Sequence, residues 1–356
     1  MKPTILDCTK EELSRAITPS FRAKQIFKWV YAQYVDDFNA MNNLPQSLRH
    51  TLSERYAIMP LRILKKEISR DGTIKYLFAL RDGKTIESVL LRMKAAQYDS
   101  DGQLVHHAKY TVCVSTQVGC KVGCAFCLTA KGGFTRDLSC GEIVAQVLAL
   151  KKDNNIAAER RLNIVYMGMG EPLDNLQNLA KAITVFSDED GLAIATKRQT
   201  VSTSGLSSQI DRLGAMNLGV HIAISLHAVD DTLRSELIPM NKAHNIASII
   251  EAVRRFPIDT RKRVMFEYLM IKGKNDDRRS AKKLVTLLHG IKAKVNLIYF
   301  NPYEGTPYER PDKHSMVAFQ EYLIAHGLLC TIRDSKGIDI SAACGQLKEK
   351  ENQEIA

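Results

Sequence analysis

Several things are missing from this chain of 356 residues, and each absence narrows what it can be. No apolar run approaches the roughly 20 residues a bilayer-spanning helix needs, so no membrane partner is expected. The opening segment, MKPTILDCTKEEL, lacks the apolar core of a secretion signal, and a cytoplasmic location follows as the expectation. No internal repeat, low-complexity stretch or long linker interrupts the sequence. Acidic residues are in deficit, 39 against 50 lysines and arginines, for a formal charge of +11. Such an excess favours a polyanionic partner, because phosphate neutralisation is the largest sequence-independent term in nucleic-acid affinity. Basic residues gather at Arg254–Arg255, Arg261–Lys262–Arg263 and Lys272–Lys274, although each group reads equally well as a solvated face.

A second cysteine pair is also lacking. Cys120, Cys124 and Cys127 stand in VGCKVGCAFCLTA with C-x3-C-x2-C spacing. Structural zinc sites are closed by four protein ligands, usually as two separated pairs, and no second pair follows. A zinc site here must borrow His106 or His107, which gives one competing reading, a non-catalytic zinc-stabilised RNA-binding protein. An iron-sulfur cluster held by three cysteines, with one iron open to a small-molecule ligand, fits the spacing better. Phe126 is placed to shield a cluster edge. The chain has eight cysteines, and in a cytosolic protein these favour metal and catalytic uses over structural disulfides. Cys8, Cys140 and Cys330 fit no ligand pattern and read as small buried hydrophobes.

What is present is an ordinary globular balance, 45% hydrophobic and 25% charged. The length suggests two or three folding units, one large enough to enclose a cofactor. Residues 1–57 read as a helical accessory module that contacts RNA or, equally, as a simple amphipathic bundle. Thr9 and Glu12 have capping-box spacing. Ile26, Phe27, Val30, Tyr31 and Tyr34 form one apolar stripe, with Arg22, Lys24, Lys28 and Arg49 on polar positions. In residues 58–107, the Asp-Gly turns at Asp71-Gly72 and Asp82-Gly83 separate three strand-like runs, an antiparallel meander that adapts the first module to the next. Ile74, Tyr76, Phe78 and Leu80 alternate onto one face.

From about residue 108 strand and helix alternate. Strands are expected at 111–115, 162–167, 199–203, 220–226, 263–270 and 294–300, with a further one near 328–333. Helices are expected from near residues 139, 174, 207, 245, 276 and 314, the first with Ser139 and Glu142 at capping-box spacing. Six β/α units imply an α/β fold with a parallel sheet, open or curled into a partial barrel. This unit is expected to span 108–345, and 346–356 to be a flexible tail.

Ligands of parallel β/α folds gather at the carboxyl ends of the strands. There the sequence places Gly168-Met169-Gly170-Glu171-Pro172, Ser202-Thr203-Ser204-Gly205, Ser225-Leu226-His227 and Asn301-Pro302-Tyr303. Glycines let backbone approach a ligand closely, and a carboxylate can accept hydrogen bonds from an ammonium group. Any one of these is a weak signal, but four at equivalent strand ends on the chain that carries the cysteine triplet are not.

The triplet resembles the signature of the radical S-adenosylmethionine (SAM) superfamily. The segments CVSTQVGCKVGCAFCLTAKGGFTRDL, YMGMGEPLDN, VSTSG, AISLHA, VNLIYFNPYEGTPYERP and GIDISAACGQL together resemble one family within it, the radical SAM adenine-C2 methyltransferases of bacterial 23S ribosomal RNA and transfer RNA. The resemblance implies a partial (β/α)6 radical SAM barrel holding one 4Fe-4S cluster on Cys120, Cys124 and Cys127. It implies SAM contacts from Gly170, Glu171, Ser202, Ser225, Leu226, His227 and Asn301. A related branch methylates adenine C8 and tends to carry Gly-Glu-Ala and Ser-Thr-Ile-Gly, where this chain has Gly-Glu-Pro and Ser-Thr-Ser-Gly. That difference favours C2.

The resemblance also gives roles to two cysteines that composition alone would leave as core filler, Cys344 in Ala342-Ala343-Cys344-Gly345 and Cys113. It implies that the Cys344 thiolate takes a methyl group from one SAM and that a second SAM yields a 5′-deoxyadenosyl radical. That radical removes hydrogen from the methyl group, and the resulting methylene radical adds to adenine C2. Cys113 then helps remove the C2 proton and releases the RNA by forming a disulfide with Cys344, which external reductant reopens. Glu87 aligns with the family's proton acceptor, whereas read without the resemblance it is an edge-strand charge. The partners implied are 23S rRNA in the peptidyl transferase centre, tRNA at the adenosine next to the anticodon, and an electron donor such as flavodoxin or ferredoxin. A monomer is expected.

Overall fold

The computed structural model describes residues 2–259 and 262–348. Arg261 of the expected basic cluster and the expected tail from residue 349 onward lie outside the described residues.

The N-terminal module is helical, as its stripe predicts. Helix α1 (Lys10–Ala16) opens with the full Thr9/Glu12 capping box. Helix α2 (Arg22–Phe27) passes into a π-helical turn at Lys28–Ala32. The wider turn brings Ile26, Phe27, Val30 and Tyr31 inward together, all of them buried. Helix α3 (Gln46–Arg55) completes the module, and a bridge from Thr4 to Ala57 ties its two ends. The module does not stand apart. Lys10 pairs with Asp188 and Asp190, both at 2.9 Å, and the Gly141 amide donates to Asp7 at 2.6 Å.

The meander forms as strands β1 (Leu61–Ile68), β2 (Ile74–Leu80) and β3 (Thr85–Lys94). It is not a separate adapter, however. Strand β3 continues past the expected end, and a small hairpin of β4 (Gln97–Tyr98) and β5 (Leu104–His106) returns the chain to β6 (Lys109–Cys113). Strand β6 pairs antiparallel with β3, Val89 opposite Cys113 and Leu90 opposite Val112. The meander is therefore one flank of a single ten-stranded sheet.

The other flank is parallel. A hairpin of β7 (Gln117–Gly119) and β8 (Phe134–Asp137), which sequence reading did not foresee, brackets the cysteine loop and the short helix α4 (Leu128–Lys131). Then come α5 (Cys140–Asp153), capped by Ser139 and Glu142 as expected, β9 (Asn163–Tyr166), α6 (Leu176–Ser187), β10 (Gln199–Thr203) and α7 (Ser207–Met216). After β11 (His221–Ser225) the chain inserts an extra helix, α8 (Asp231–Leu237), before α9 (Ile246–Arg255). The series ends with β12 (Val264–Met270), α10 (Arg278–Leu287), β13 (Ala293–Tyr299), α11 (Lys313–Ala325) and β14 (Leu329–Arg333).

The sheet order is β1-β2-β3-β6-β9-β10-β11-β12-β13-β14. From β6 onward every neighbour is the next parallel strand in the chain, with no reversal. Right-handed crossovers in such a monotonic series put every helix on one face, and the sheet curls with its other face inward. This resolves the open-or-curled alternative in favour of the partial barrel. One apolar core runs from Ile5 through the N-terminal helices and the sheet to Leu347. A second, smaller cluster, containing Val122, Leu237, Leu269, Ile298 and Phe300, packs against Cys120, Cys124 and Phe126.

The expected flexible tail starts too early. Gln346 and Leu347 are buried, and the Leu347 carbonyl accepts from Thr129 Oγ1 at 2.5 Å. The basic clusters are largely paired on the surface: Arg255 with Asp211, Lys272 with Glu309 and Lys274 with Glu236. No helix among the described residues is long and apolar enough to cross a membrane.

Candidate active site

The strand ends of the parallel flank open into a cavity of about 490 Å³. Cys120, Cys124 and Cys127 line it, as do Cys113, Cys344, Gly170, Glu171, Ser202, Ser225, His227 and Asn301. Two expected residues do not. Leu226 is fully buried in the main core and offers only backbone, its carbonyl accepting from Arg234 Nε at 3.1 Å. Glu87 lies below the cavity on β3.

Nor is Glu87 an edge-strand charge, since β3 lies between β2 and β6. It is buried, pairs with the buried Lys75 at 3.3 Å, and accepts from the Lys348 amide at 3.0 Å. A carboxylate in the interior needs such partners, because burial without them costs several kcal/mol, on the order of what an unpaired charge loses.

The cysteine loop is shaped by its hairpin. Gly119 has φ +75°, and a Cβ there would sit 2.0 Å from the Gly133 carbonyl, so no other residue fits. The Cys120 amide donates to that carbonyl at 2.7 Å, and the Ala125 amide to Leu237 at 2.9 Å. Burial pushes the Cys120 thiol up to about 12 and Cys124 well above its ordinary value, and neighbouring thiols raise both. Sulfur donors placed together in such an interior are suited to a cationic iron-sulfur group, which compensates the charges they acquire on binding it. The zinc alternative is not built. His106 and His107, the ligands it would have to borrow, are exposed at the outer hairpin and do not line the cavity of the cysteine loop.

The glycine-glutamate turn is held from the strand before the cysteine loop. Gly170 has φ +100°, and a Cβ there would meet Gln117 Cβ at 2.6 Å. Gln117 accepts the Glu171 amide at 2.8 Å and donates to Asp137 and Asp174. Glu171 is buried, and its carboxylate accepts from the Leu173 amide at 3.0 Å and the Ser204 amide at 2.7 Å. Burial nonetheless raises its pKa above the usual carboxylate value, the backbone donors opposing the shift. Ser202 donates to the Tyr166 carbonyl at 2.5 Å.

His227 adopts the left-handed backbone conformation at φ +58°. Its Nδ1 accepts from the Leu269 amide at 3.0 Å, which leaves the proton of the neutral ring on Nε2. Burial, with Arg234 close by, lowers its pKa to about 3, so the ring stays neutral. Phe126 meets it edge-on at 5.0 Å.

Cys344 arrives on a strap with little regular structure. The Gly345 carbonyl accepts from the Leu128 amide at 2.7 Å, one residue after Cys127, and Asn301 Nδ2 reaches the Cys344 carbonyl at 3.5 Å. Cys344 is exposed by surface area although it is surrounded by protein, because the surface it shows is cavity wall. The accessible area is the better guide to what a substrate can touch. Burial raises its thiol pKa, and the Arg333 guanidinium pulls it back down. Burial takes Cys113 to about 12. The two thiols are close enough to influence one another, with Arg333 acting on both. All eight cysteines are free, so the expected disulfide is not formed here.

Sequence reading missed the supporting residues. Glu267, Asn296 and Thr331 stand in register with Ser225 across β11 to β14. Thr331 donates to Asn296, Asn296 to Glu267, and Arg333 pairs with Glu267 at 3.4 Å. Their signal was a polar residue at one register position in each of several otherwise apolar strands. Arg234, buried on α8, left no such signal.

Fold and cavity together define the class, a radical SAM protein. Residues 114–285 match the Radical SAM superfamily, and residues 5–58 match the Ribosomal RNA large subunit methyltransferase N-terminal domain. The chain is 72% identical over 100% of its length, and of the relative's, to the dual-specificity RNA methyltransferase RlmN of Sulfurimonas denitrificans. It is 65% identical to that of a Nitratiruptor species, covering 97% of this chain and 98% of the relative. A crystal structure of a radical SAM methyltransferase from Sphaerobacter thermophilus superimposes with a TM-score of 0.88 at 43% identity, covering 97% of this chain and 99% of the other. The chain belongs to the RlmN family of dual-specificity RNA methyltransferases.

Proposed function

We propose that this protein methylates C2 of an adenosine in the peptidyl transferase centre of 23S rRNA and of the adenosine beside the anticodon in some tRNAs, through a methylated Cys344. The observation that carries the reading is the meeting of Cys344, Cys113 and the three loop cysteines in one cavity. Full-length identity to dual-specificity RNA methyltransferases supports the RNA substrates, and Gly170-Glu171-Pro172 favours C2 over C8.

Cys120, Cys124 and Cys127 would hold the 4Fe-4S cluster. With SAM bound, two molecules per turnover, the cluster would supply the electron that splits one SAM into methionine and a 5′-deoxyadenosyl radical, and the other SAM would supply the methyl group. The chain's own residues do the rest. Gly170 lets backbone approach SAM, while Glu171, already fixed by two amides, offers oxygen to its ammonium group. Ser202, Ser225, His227 and Asn301 orient it, and Phe126 keeps water from the cysteine loop. Cys344 presents the accessible sulfur that carries the methyl group, and Arg333 favours its thiolate. Once the adduct has passed one electron back toward the redox protein, Cys113 assists removal of the C2 proton and, as a thiolate, attacks the Cys344 sulfur; the carbon–sulfur bond breaks with its electron pair on the methylene carbon, which takes a proton to become the methyl group, and the expected disulfide closes. Glu87, paired with Lys75, would receive the proton once the Lys348 amide withdraws. Reducing equivalents come from a small redox protein such as flavodoxin or ferredoxin, and the protein acts as a monomer.

The test is anaerobic reaction of the iron-loaded protein with SAM and protein-free fragments of 23S rRNA or tRNA, followed by nucleoside mass spectrometry. We expect 2-methyladenosine. Recovery of 8-methyladenosine moves the chain to the other branch, and a colourless zinc protein without methylation removes the proposal.

A further inference from the structure

One charged group beside the cysteine loop is unused by that chemistry. Arg234, on α8, is 1% exposed. Its donors all go to neutral acceptors: the carbonyls of Ser204, Ser225, Leu226 and His244, and Asn241 Oδ1 at 2.8 Å. Among the described residues no carboxylate forms an ion pair with it. Asp231 is nearby but is engaged by Asn241 Nδ2 and the Ile246 amide. Burying a guanidinium without an anion is costly, and a backbone staple of this kind could be made without a charge.

The helix that carries it packs against the cysteine loop. One turn beyond Arg234, the Leu237 carbonyl accepts from the Ala125 amide at 2.9 Å, the residue after Cys124. Val122, Leu237 and Ile238 pack in one cluster against Cys124. Burial lowers the Arg234 pKa, and the nearby Cys124, ahead of Asp231, opposes that fall.

We infer that Arg234 is a positioning residue for the cluster, its fixed positive charge beside Cys124 favouring the reduced and more negative form. The inference rests on the cysteine loop holding the cluster proposed above. Reduction adds one electron from the redox protein and breaks no bond. The cluster with its three thiolates is an anion that becomes more negative, and a buried cation at short range stabilises the second state more than the first. The same guanidinium binds the strand-end carbonyls of β10 and β11, so the SAM-contacting turns and the charge are set by one side chain.

The experiment is an anaerobic redox titration, followed by electron paramagnetic resonance, of reconstituted full-length wild type and Arg234→Gln. At a fixed potential the reduced-to-oxidised ratio of the variant should fall by roughly tenfold, with iron and sulfide content unchanged. A fully loaded variant with the wild-type ratio overturns the inference. If the Gln variant does not fold or load, Arg234→Lys decides. It keeps the charge and loses most of the donors, so its ratio should stay within about threefold of wild type although its melting temperature drops. A tenfold fall in a fully loaded Lys variant overturns the inference equally. Wild type that binds no iron and sulfide fails at the earlier step, the reading of the cysteine loop itself.

Discussion

The two reactive cysteines reach one cavity from opposite kinds of structure. Cys113 sits in β6, hydrogen-bonded on both sides to β3 and β9, where its position is fixed by the sheet. Cys344 sits on the strap that follows β14, held by scattered contacts. Asp339 accepts from Ser69 Oγ at 2.6 Å and from the Arg70 amide, and the Gly337 amide donates to Asp71 at 3.0 Å. Thr129, Asn301 and Glu87 hold the rest. The Asp-Gly turn of the meander thus grips the strap, and the antiparallel flank contributes to the site by anchoring a loop. In the proposed mechanism the Cys344 sulfur would have to visit SAM, a radical and an RNA base, and a strap suits that better than a strand, whereas a resolving thiol could wait in one place.

The comparison breaks first at Cys344. Cys344→Ala should abolish methylation and leave no methyl group on the protein after incubation with SAM, read by intact mass; normal turnover would refute the strap's role. Cys124→Ala should remove the iron-sulfur chromophore and with it all activity, checked by iron and sulfide analysis, and undiminished iron would strike Cys124 from the ligands. Cys113→Ala should leave the first half of the reaction intact and trap RNA covalently on Cys344, seen as a protein–RNA band in denaturing gels. Only free RNA in that lane would count against a resolving thiol.

Smaller effects sharpen the contrast. Thr129→Val leaves the Leu347 carbonyl without its donor, at a cost of about 1 kcal/mol. The transfer rate should fall several-fold while iron content stays constant, measured in single turnover. In RNA-free protein, alkylation by iodoacetamide should rise with pH at both thiols, because the thiolate reacts and both values lie above the ordinary one. Cys344, accessible and eased by Arg333, should react well before Cys113, whose rate should keep rising toward about pH 12. Equal rates near neutrality would mean that the two environments do not differ.

Most elements of the parallel flank were legible in the sequence because each is announced locally. Strand β10 occupies the expected 199–203, and the Ser139/Glu142 capping box begins α5 where predicted. The cysteine triplet and the strand-end turns were visible for the same reason, since spacing and glycine are properties of short segments. The side chain of Leu226 lies in the core, not on the cavity wall, because a motif names three consecutive residues while a strand end turns them to different sides. The pairing of β3 with β6 was not foreseen, as nothing local in either strand specifies its neighbour. Arg234 looks like any surface arginine of an amphipathic helix until the loops around it are in place.

The sequence by itself determined most strands and helices of the parallel flank, the cysteine spacing and the glycine turns, all of them consequences of local sterics and hydrogen bonding. Only the tertiary structure decided that the meander joins the barrel sheet, that the strap is pinned to the Asp71 turn, and that Arg234 lies buried beside Cys124. Those outcomes depend on which distant surfaces exclude water from one another, a property of the whole chain that no short window of it contains.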